Sequence, residues 1–368
     1  MALKMKTNSL YIHIPFCKQI CFYCDFCKVF YDEKQVDQYL QVLKKELAAL
    51  KISDQLKTIY IGGGTPSALN YQQLSLLFDL IKPYISKETK EITIEVNPET
   101  IDETKMQILK AGGVNRLSIG VETFDDQLLA KINRHHQRKD VLNVIELAKK
   151  YQIDNISIDL MYGLPDQSID DAKKDLQFAL NLEIKHISYY ALILEKRTVL
   201  NNLHYQPLDE ETELMINKMI DEQLCQAGFN KYEISNFAKT GYQSLHNLAY
   251  WHYDNYYGIG LGASGKIDDC LYEHNRNLTA YLKGENTLDK IVYSKEETMF
   301  NHLMMSLRLI EGLNLKEFEH RYQQSIFDVY DQALNKHLNL KTLVIEDDYL
   351  RCNKEAIYLL NDILLDFL

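Results

Sequence analysis

Residues 11–30, YIHIPFCKQICFYCDFCKVF, place four of the chain's seven cysteines between positions 17 and 27. An apolar run typical of a buried β-strand precedes them directly. The first three, Cys17, Cys21 and Cys24, have the spacing C-x3-C-x2-C. Structural zinc sites usually combine two well-separated cysteine pairs, and this chain has no second pair. Three thiolates on one loop suit instead a cubane 4Fe-4S cluster that keeps one iron free of protein ligands. A zinc-stabilised binding protein is the alternative interpretation.

The remaining cysteines carry separate expectations. Cys27 is close enough to be a fourth ligand, but we favour a free thiol near the site. Cys225, Cys270 and Cys352 are isolated in the sequence, and we expect them to be buried small apolar residues.

Composition limits the class of protein. The 368 residues carry a formal net charge of −11, which argues against a nucleic-acid partner because phosphate binding needs a basic surface. No run of about 18 apolar residues is present, which excludes a transmembrane segment. MALKMKTNSL lacks a signal-peptide core. We therefore expect a cytoplasmic protein with reduced thiols.

Apolar runs and helical patterns alternate along the first half of the chain. The runs predict buried strands near 9–15, 57–61, 91–96, 115–119, 154–160 and 184–190. Amphipathic segments near 35–50, 71–82, 102–111, 138–150 and 168–181 predict helices between them. Six βα units predict an α/β protein whose fold is a partial, open (β/α)6 barrel with its site at the C-terminal strand ends.

Beyond the barrel the pattern changes. A long helix is expected at 208–227, followed by a short strand and an irregular segment rich in glycine and aromatic residues. The expected domains are the barrel (1–235), this glycine- and aromatic-rich segment (236–292), and a smaller, mostly helical C-terminal domain (293–368). A β-hairpin near 340–352 is expected within the last domain.

The cysteine spacing, with Tyr23 directly before the third cysteine, resembles the radical S-adenosylmethionine (SAM) superfamily. Further segments resemble its oxygen-independent coproporphyrinogen III oxidase family, and within that family the haem chaperone branch. They are YCDF (23–26), GGGTPS (62–67), IEVNPE (94–99), LSIGVETF (117–124), IDLMYGLP (158–165) and HNLAYW (246–251). The resemblance implies a radical-SAM barrel in which the free iron chelates SAM and an electron from the cluster cleaves its sulfonium bond.

The resemblance also implies which residues bind the cofactors. Backbone amides of a glycine-rich turn suit the SAM carboxylate, and carboxylates at strand ends suit its ammonium group or ribose hydroxyls. The expected SAM site comprises Tyr11, Tyr23, Gly63, Gly64, Thr65, Glu95, Glu122, Arg134 and Asp159. We expect His135 and His136, next to Arg134, to face solvent.

Residue 122 departs from the family pattern, which usually has glutamine there. An amide donates and accepts hydrogen bonds, whereas a carboxylate only accepts them. If Glu122 faces the SAM carboxylate it should weaken binding unless it is protonated. If it faces the ammonium group or the ribose, the change is harmless.

Three features favour a haem chaperone over the alternative, a radical SAM decarboxylase that oxidises coproporphyrinogen III. The oxidase usually has an N-terminal extension before its cysteines, and here Cys17 comes early. It carries a further cysteine where this chain has Phe26. The motif HNLAYW fits the chaperone, in which the histidine is implicated in haem binding. This predicts His246 as a haem ligand, with Tyr250 and Trp251 on the porphyrin face.

The chaperone interpretation implies partners. They are haem and client haemoproteins, including membrane-associated respiratory components through which the protein would associate peripherally with the membrane. A G-x-G-x-x-G pattern at Gly260, Gly262 and Gly265 resembles a dinucleotide fingerprint, but no clear strand precedes it, and the acidic residues Asp268, Asp269 and Glu273 come too early for the one expected about 20 positions on. We expect this segment to pack close to the barrel mouth or a ligand.

Overall fold

The strands and helices follow the alternation in the sequence. A computed structural model of the chain describes residues 6–50, 52, 55–285 and 287–368. Residues 1–5, the first half of the MALKMKTNSL segment in which no signal peptide is expected, lie outside the described residues. The strands are β1 (Thr7–Ile14), β2 (Phe16–Cys17), β3 (Val29–Phe30), β4 (Thr58–Gly63), β5 (Glu91–Val96), β6 (Arg116–Glu122), β7 (Asn155–Tyr162), β8 (His186–Ala191), β9 (Asn230–Lys231), β10 (Asn236–Ala238), β11 (Asn255–Ile259), β12 (Ser264–Ile267), β13 (Cys270–His274), β14 (Leu288–Val292), β15 (Leu313–Asn314), β16 (Leu343–Glu346) and β17 (Tyr349–Cys352).

The helices begin where the sequence supplies capping side chains. Asp32, Asn70, Asp102 and Ser168 each accept a hydrogen bond from the backbone amide three residues on, which satisfies a free donor of the first turn. The helices are α1 (Glu33–Ala49), α2 (Tyr71–Ile81), α3 (Glu103–Ala111), α4 (Asp126–Lys131), α5 (Arg138–Lys150), α6 (Ile169–Leu180), α7 (Val199–Asn202), α8 (Glu210–Gln226), α9 (Leu245–Trp251), α10 (Leu278–Leu282), α11 (Lys295–Ser306), α12 (Leu315–Tyr322), α13 (Ile326–Asn339) and α14 (Leu360–Leu365).

A large mixed sheet organises the molecule. Its order is β14-β13-β12-β11-β1-β4-β5-β6-β7-β8-β10-β9. The run β11-β1-β4-β5-β6-β7-β8 is parallel throughout, and the outer strands at both edges are antiparallel. The six predicted strands and the partial barrel they form are therefore confirmed.

The segment after residue 236 was wrongly expected to be irregular. Strand β11 pairs in parallel with β1, aligning Leu10 with Tyr257 and Ile12 with Ile259, and so adds a seventh parallel strand. Its sequence, NYYGI, lacks the continuous apolar run of the other strands. The free edge of β1 supplies the hydrogen-bonding partner that makes this segment a strand.

The two largest of the three hydrophobic cores among the described residues lie in different parts of the chain. One collects buried residues between Leu10 and Tyr281 from the strands of the barrel and the helices outside it. The other collects residues between Met299 and Phe367. The second region contains α11–α14 and a small sheet of order β15-β17-β16, so the predicted hairpin near 340–352 is confirmed.

The C-terminal region contacts the barrel through the segment that contains α9. The Ser306 hydroxyl donates to the Trp251 carbonyl at 3.3 Å, and Arg321 donates to the Tyr253 carbonyl at 3.2 Å. Within the described ranges, every helix is too short or too polar to cross a lipid bilayer.

Candidate functional site

The cysteine loop leaves β1 and is closed by two short strands. β2 and β3 pair in parallel, with Val29 donating to the Pro15 carbonyl at 2.8 Å and Tyr31 donating to the Cys17 carbonyl at 2.9 Å. Beyond this clasp, the Phe22 amide donates to the Ile132 carbonyl at 3.1 Å. The loop is therefore held at both ends over the C-terminal ends of the strands.

Three of the four thiols line the cavity under this loop. They are Cys17, Cys21 and Cys24. The Thr65 hydroxyl donates to Cys17 Sγ at 3.4 Å, and the Arg134 guanidinium lies 3.9 Å from Cys21 Sγ. Burial raises the pKa of Cys17, and it raises the pKa of Cys24 to about 12. These thiols need a bound cation to become thiolates, which is what a metal centre supplies.

The same donor set fits a cubane cluster better than a single ion. Among the described residues, no three His, Cys, Asp or Glu side chains converge as ligands of one metal ion would. A cluster does not require that convergence, since each thiolate binds a different iron. The chain therefore offers one soft three-thiol set on one loop, as the spacing predicts.

A glycine-rich turn packs directly against the cysteine loop. At Gly64, a Cβ atom would lie 2.7 Å from the Pro15 carbonyl oxygen and 2.8 Å from Cys17 Sγ, so only glycine fits. Gly63 and Thr65 flank it and line the same cavity. The turn thus borders the cavity beside the thiols, with the Gly63 and Gly64 amides donating to Glu95 and to the Ile14 carbonyl.

Two carboxylates project into the cavity from β5 and β7, the strands on either side of β6. Glu95 accepts hydrogen bonds from the Tyr60 hydroxyl at 2.8 Å and the Gly63 amide at 2.9 Å. Asp159 accepts from the Ser118 hydroxyl at 3.1 Å. Burial raises the pKa of Glu95 to about 7, and burial also raises the pKa of Asp159. Both groups are poised to be ionised by a cationic ligand.

At the end of β6, Glu122 and Arg134 form a buried ion pair. Arg134 Nη2 lies 3.5 Å from Glu122 Oε1 and donates to the Gly120 carbonyl. Glu122 has a φ of 62°, in the left-handed region, where a bulge interrupts the pairing of β6 with β7. Burial raises the pKa of Glu122, and its Oε2 has no hydrogen-bond partner among the described residues. This carboxylate therefore has an open acceptor next to a cation.

Two tyrosines complete the upper part of the cavity. The Tyr11 hydroxyl lies 2.9 Å from His13 Nδ1, and burial raises the pKa of Tyr11 well above its usual value. Burial and the adjacent Glu122 raise the pKa of Tyr23 in the same way. Both phenols remain protonated; the Tyr11 hydroxyl donates to His13 Nδ1 and presents its oxygen as an acceptor.

One histidine near Arg134 was placed wrongly. His135 is exposed as expected, but His136 is 2% exposed. His136 Nε2 lies 3.1 Å from the Val121 carbonyl, and burial lowers the pKa of its imidazole to about 3. The ring packs against β6, with Nδ1 3.8 Å from the Glu99 carboxylate.

Helix α9 places the predicted haem histidine at the other end of the cavity. Glu91 accepts hydrogen bonds from the backbone amides of Leu245 and His246 at 2.9 and 3.1 Å. His246 Nδ1 lies 2.7 Å from Thr58 Oγ1, and Nε2 lies 2.8 Å from the Tyr250 hydroxyl. Burial lowers the pKa of His246 to about 3, so the imidazole is neutral and keeps a lone pair.

Only one aromatic of the HNLAYW motif faces the cavity. Tyr250 lines it, whereas Trp251 packs towards the C-terminal region with the Arg308 guanidinium 5.9 Å from its ring centre. The expectation for Trp251 was therefore wrong. Helical geometry separates neighbouring residues by about 100°, so one face of α9 cannot present both rings to the same ligand.

A single cavity of about 680 Å³ unites these groups. All of the residues proposed from the sequence as cofactor or metal ligands line it: Tyr11, Cys17, Cys21, Tyr23, Cys24, Gly63, Gly64, Thr65, Glu95, Glu122, Arg134, Asp159 and His246. Its volume is that of a small-molecule site, for which about 300–1,000 Å³ is typical.

Cys27 belongs to a different contact. A Cβ atom at Gly262 would lie 2.6 Å from Cys27 Cβ, and the Cys27 carbonyl accepts a hydrogen bond from His13 Nε2 at 2.7 Å. Cys27 is not among the residues that line the cavity. The glycine pattern thus packs against the cysteine loop. A strand, β11, does precede it, contrary to expectation, but β12 rather than a helix follows.

Two other cysteines also differ from expectation. Cys225 is exposed and Cys270 is half-buried, while Cys352 is buried as expected. Cys225 lies near the end of α8, on its solvent side, and its thiol has no packing role there.

Sequence reasoning missed four polar residues inside the barrel. Tyr60 and Arg116 line the cavity, His13 links Tyr11 to the Cys27 carbonyl, and Glu91 caps α9. A detectable signal was a charged or polar side chain within or at the start of an otherwise apolar strand. Such a group is either solvated or turned into a cavity, and only the three-dimensional arrangement distinguishes the two cases.

Comparison with known proteins follows the same division of the chain. A model of the radical SAM superfamily matches residues 11–179, and a model of the HemN C-terminal domain matches residues 293–359.

Curated relatives match along nearly the whole chain. Heme chaperone HemW of Lactococcus lactis is 36% identical over 371 residues, covering 99% of this chain and 98% of that protein. Heme chaperone HemW of Bacillus subtilis is 39% identical over 353 residues, covering 92% of each.

Among solved structures, coproporphyrinogen III oxidase (HemN) from Escherichia coli superposes with a TM-score of 0.86. The match covers 99% of this chain and 90% of that one at 23% identity. At this identity the likeness shows a shared fold.

Proposed function

The chain belongs to the HemW family within the radical SAM superfamily, and on that premise we propose that it is a haem chaperone. In this proposal it binds a 4Fe-4S cluster, SAM and haem, and delivers haem to client haemoproteins. The observation that carries the proposal is the single cavity that holds a three-thiol set at one end and the His246–Tyr250 pair at the other.

The cluster would be held by Cys17, Cys21 and Cys24. When bound, it supplies an iron with an open coordination position and a centre for one-electron transfer. Of the three thiols, Cys17 is buried and Cys21 and Cys24 are half-buried at the cavity wall. The Arg134 guanidinium, 3.9 Å from Cys21 Sγ, provides positive charge beside the thiolates.

SAM would lie between the cluster loop and the strand ends. Its ammonium group or ribose hydroxyls suit the carboxylates of Glu95 and Asp159. Its carboxylate suits Arg134, which can bind a carboxylate bidentately; binding to the Gly63–Thr65 turn would require an amide there to leave its present acceptor. Glu122 pairs with Arg134 at 3.5 Å, so a SAM carboxylate on Arg134 would lie close to Glu122. This is the arrangement in which the change from glutamine weakens SAM binding unless Glu122 is protonated, and burial raises the pKa of Glu122.

Haem would be bound near α9. A neutral imidazole is the form that binds iron, and the low pKa of His246 keeps it neutral at physiological pH. The contact between Thr58 and Nδ1 orients the ring, as partners of the non-coordinating nitrogen do at metal sites. Coordination through Nε2 requires the Tyr250 hydroxyl to move away from its 2.8 Å contact.

The clients we propose are haemoproteins, among them membrane-associated respiratory components, with the chaperone itself in the cytoplasm. This part rests on the family alone. It predicts that haem-loaded protein transfers haem to an apo-haemoprotein faster than free haem partitions into it.

The test is anaerobic reconstitution followed by haem titration of the wild type and His246→Ala. We expect about four irons and four sulfides per chain, haem binding with a defined Soret band, and a changed band or weaker binding in the variant. His320→Ala, an exposed histidine of the C-terminal region, is the matched control. Stoichiometric zinc without iron, or turnover of coproporphyrinogen III to a decarboxylated product, would contradict the proposal.

A further inference from the structure

Arg116 lies deep in the barrel with no use in the site described so far. It begins β6 and aligns with Thr93 of β5 and Asn155 of β7. Glu122 ends the same strand, six residues on, so the two backbone positions are separated by about 20 Å along β6. Arg116 therefore occupies the barrel floor, far from the cysteine loop.

The guanidinium of Arg116 lacks a partner. The residue is 2% exposed and lines the cavity, and its Nε has no hydrogen-bond partner in the described part of the chain. The other two cations of the cavity wall differ, because Lys28 donates to the Cys24 carbonyl and Arg134 pairs with Glu122. A buried cation without an anion is costly, and a cavity beside it gives an anion access.

Within the described ranges, the nearby carboxylates Glu95 and Asp159 do not form an ion pair with Arg116. The oxygens of Glu95 accept from Tyr60 and Gly63, and Asp159 accepts from Ser118. The neighbouring polar groups are neutral: His186 lies 2.8 Å from Ser157 Oγ and 2.9 Å from the Tyr232 hydroxyl. The floor thus presents one forked cation among uncharged hydrogen-bonding groups; its charge acts on Glu95 and Asp159 only through space, partly offsetting the burial that raises the pKa of both.

Arg116 lies at the same height along the barrel strands as His246, the proposed haem ligand. Tyr60 aligns with Thr93, which aligns with Arg116, and the Tyr60 ring stacks on His246 with ring centres 5.2 Å apart. A planar ligand bound by His246 would bring its edge to this floor. Arginine is suited to such an edge if it carries a carboxylate, because the guanidinium fork matches a carboxylate bidentately.

We propose that Arg116 is a binding residue for a carboxylate of the haem cargo, one of its propionates, and so fixes the orientation of haem in the cavity. This inference rests on the proposed function. The same chemistry could serve the carboxylate of SAM. Because the family places that group on the cluster iron, at the opposite end of β6, we assign Arg116 to the propionate.

The test compares haemin with haemin dimethyl ester, whose propionates carry no charge. Cluster-loaded full-length wild type, Arg116→Met and Arg116→Lys are each titrated with both by Soret absorbance. We expect the wild type to prefer haemin by about 10- to 100-fold, the size expected for hydrogen bonds to a charged group. Arg116→Met should lose this preference, and Arg116→Lys should keep part of it.

Two further measurements make the outcome decisive. Arg116→Met should unfold at the same or a higher temperature than the wild type, since it removes an unpaired buried charge; a clearly lower midpoint would indicate a structural cation and overturn the assignment. SAM affinity, measured by calorimetry, should fall only modestly in Arg116→Met, since the charge of Arg116 favours the ionised forms of Glu95 and Asp159 without contacting SAM. If SAM affinity is lost while the preference for haemin over its dimethyl ester is intact, Arg116 binds SAM rather than a propionate.

The inference and the proposed function can fail separately. If the wild type binds haemin and its ester equally well, Arg116 does not bind a propionate, yet haem binding stands. If the wild type binds neither, both are overturned.

Discussion

At the scale of single residues, the site is made of charges taken out of water. Glu122 is buried and Glu95 and Asp159 are half-buried in the cavity wall, and desolvation raises the pKa of each. His246 shows the opposite shift from the same cause, since burial disfavours its cationic form. The ionisation of the carboxylates is therefore sensitive to a bound cation, while the histidine stays neutral and keeps a lone pair for a metal.

The first prediction concerns Glu95 and the pH dependence of SAM binding. Its pKa of about 7 means that the carboxylate is largely protonated at pH 6 and largely ionised at pH 8. Because the ionised form binds a cationic ligand, we expect the SAM affinity of cluster-loaded protein to rise by about tenfold over this range. His246 and His186 do not titrate in this window, since burial lowers the pKa of both.

Glu95→Gln provides the control for that experiment. The variant should bind SAM with a flat pH profile between 6 and 8, measured by calorimetry under anaerobic conditions. An equal slope in the wild type and in Glu95→Gln would show that another group titrates.

The second prediction concerns the buried pair of Glu122 and Arg134. Arg134→Met leaves a buried carboxylate without its cation, and we expect the free energy of unfolding to fall by about 3–5 kcal/mol. The double variant Glu122→Gln/Arg134→Met should recover most of this loss, because no uncompensated charge remains. Urea unfolding of the cluster-free protein measures both.

The exposed pair Lys131–Asp166, at 2.7 Å, is the matched control. Lys131→Ala should cost less than about 1 kcal/mol, since water screens this pair. If Arg134→Met proves no more costly than Lys131→Ala, the buried pair does not stabilise the fold.

At the scale of elements, the cysteine loop is positioned by its neighbours. The β2–β3 clasp fixes its base, the Leu200 amide donates to the Phe22 carbonyl at 3.0 Å, and Asn133 donates to the Ile20 carbonyl at 2.8 Å. The contacts from Leu200 and Asn133 come from segments more than 100 residues away in the sequence. They turn three thiols into the cavity and leave Cys27 against Gly262.

This arrangement predicts different roles for the four clustered cysteines. Alanine at Cys17, Cys21 or Cys24 should abolish the cluster, whereas Cys27→Ala should retain the iron and sulfide content of the wild type. Iron and sulfide counting after reconstitution is the measurement. Cys225→Ala, an exposed thiol on α8, is the control. If Cys27→Ala loses the cluster while the alanine variant of Cys17, Cys21 or Cys24 retains it, Cys27 is a cluster ligand in place of that residue.

At the scale of the whole molecule, the barrel and the C-terminal region meet at α9. Glu91, at the start of β5, caps this helix from the barrel side, and Ser306 contacts its last residue from the other side. Helix α9 carries His246 on its cavity face. The position of the histidine thus depends on both regions of the chain, and the cavity it lines is shared with the thiols.

A shared cavity predicts coupling between haem and SAM. A volume of about 680 Å³ is that of one ligand site, so haem and SAM should crowd each other. We expect saturating SAM to weaken haem binding by at least about fivefold. Thermodynamic reciprocity then requires haem to weaken SAM binding by the same factor.

Paired titrations test this coupling. Haem is titrated with and without SAM, and SAM with and without haem, using cluster-loaded protein. Identical affinities in each pair would place the two ligands in non-overlapping sites.

The sequence by itself determined the local features. Alternation of apolar runs and amphipathic segments defined the six strands of the barrel, because burial on both faces demands continuous apolar residues. The cysteine spacing defined the three-thiol set, because ligands on one loop need only local geometry.

Only the tertiary structure decided which distant groups meet. NYYGI becomes the strand β11 because β1 offers it an unpaired edge, and His136 is buried because its ring packs against the Val121 carbonyl of β6 and the Glu99 carboxylate. Arg116 starts an ordinary-looking strand, yet it is an unpaired cation at the cavity floor. Such outcomes depend on which strands become neighbours and on whether a polar group meets water, a partner or a cavity, and local sequence contains neither piece of information.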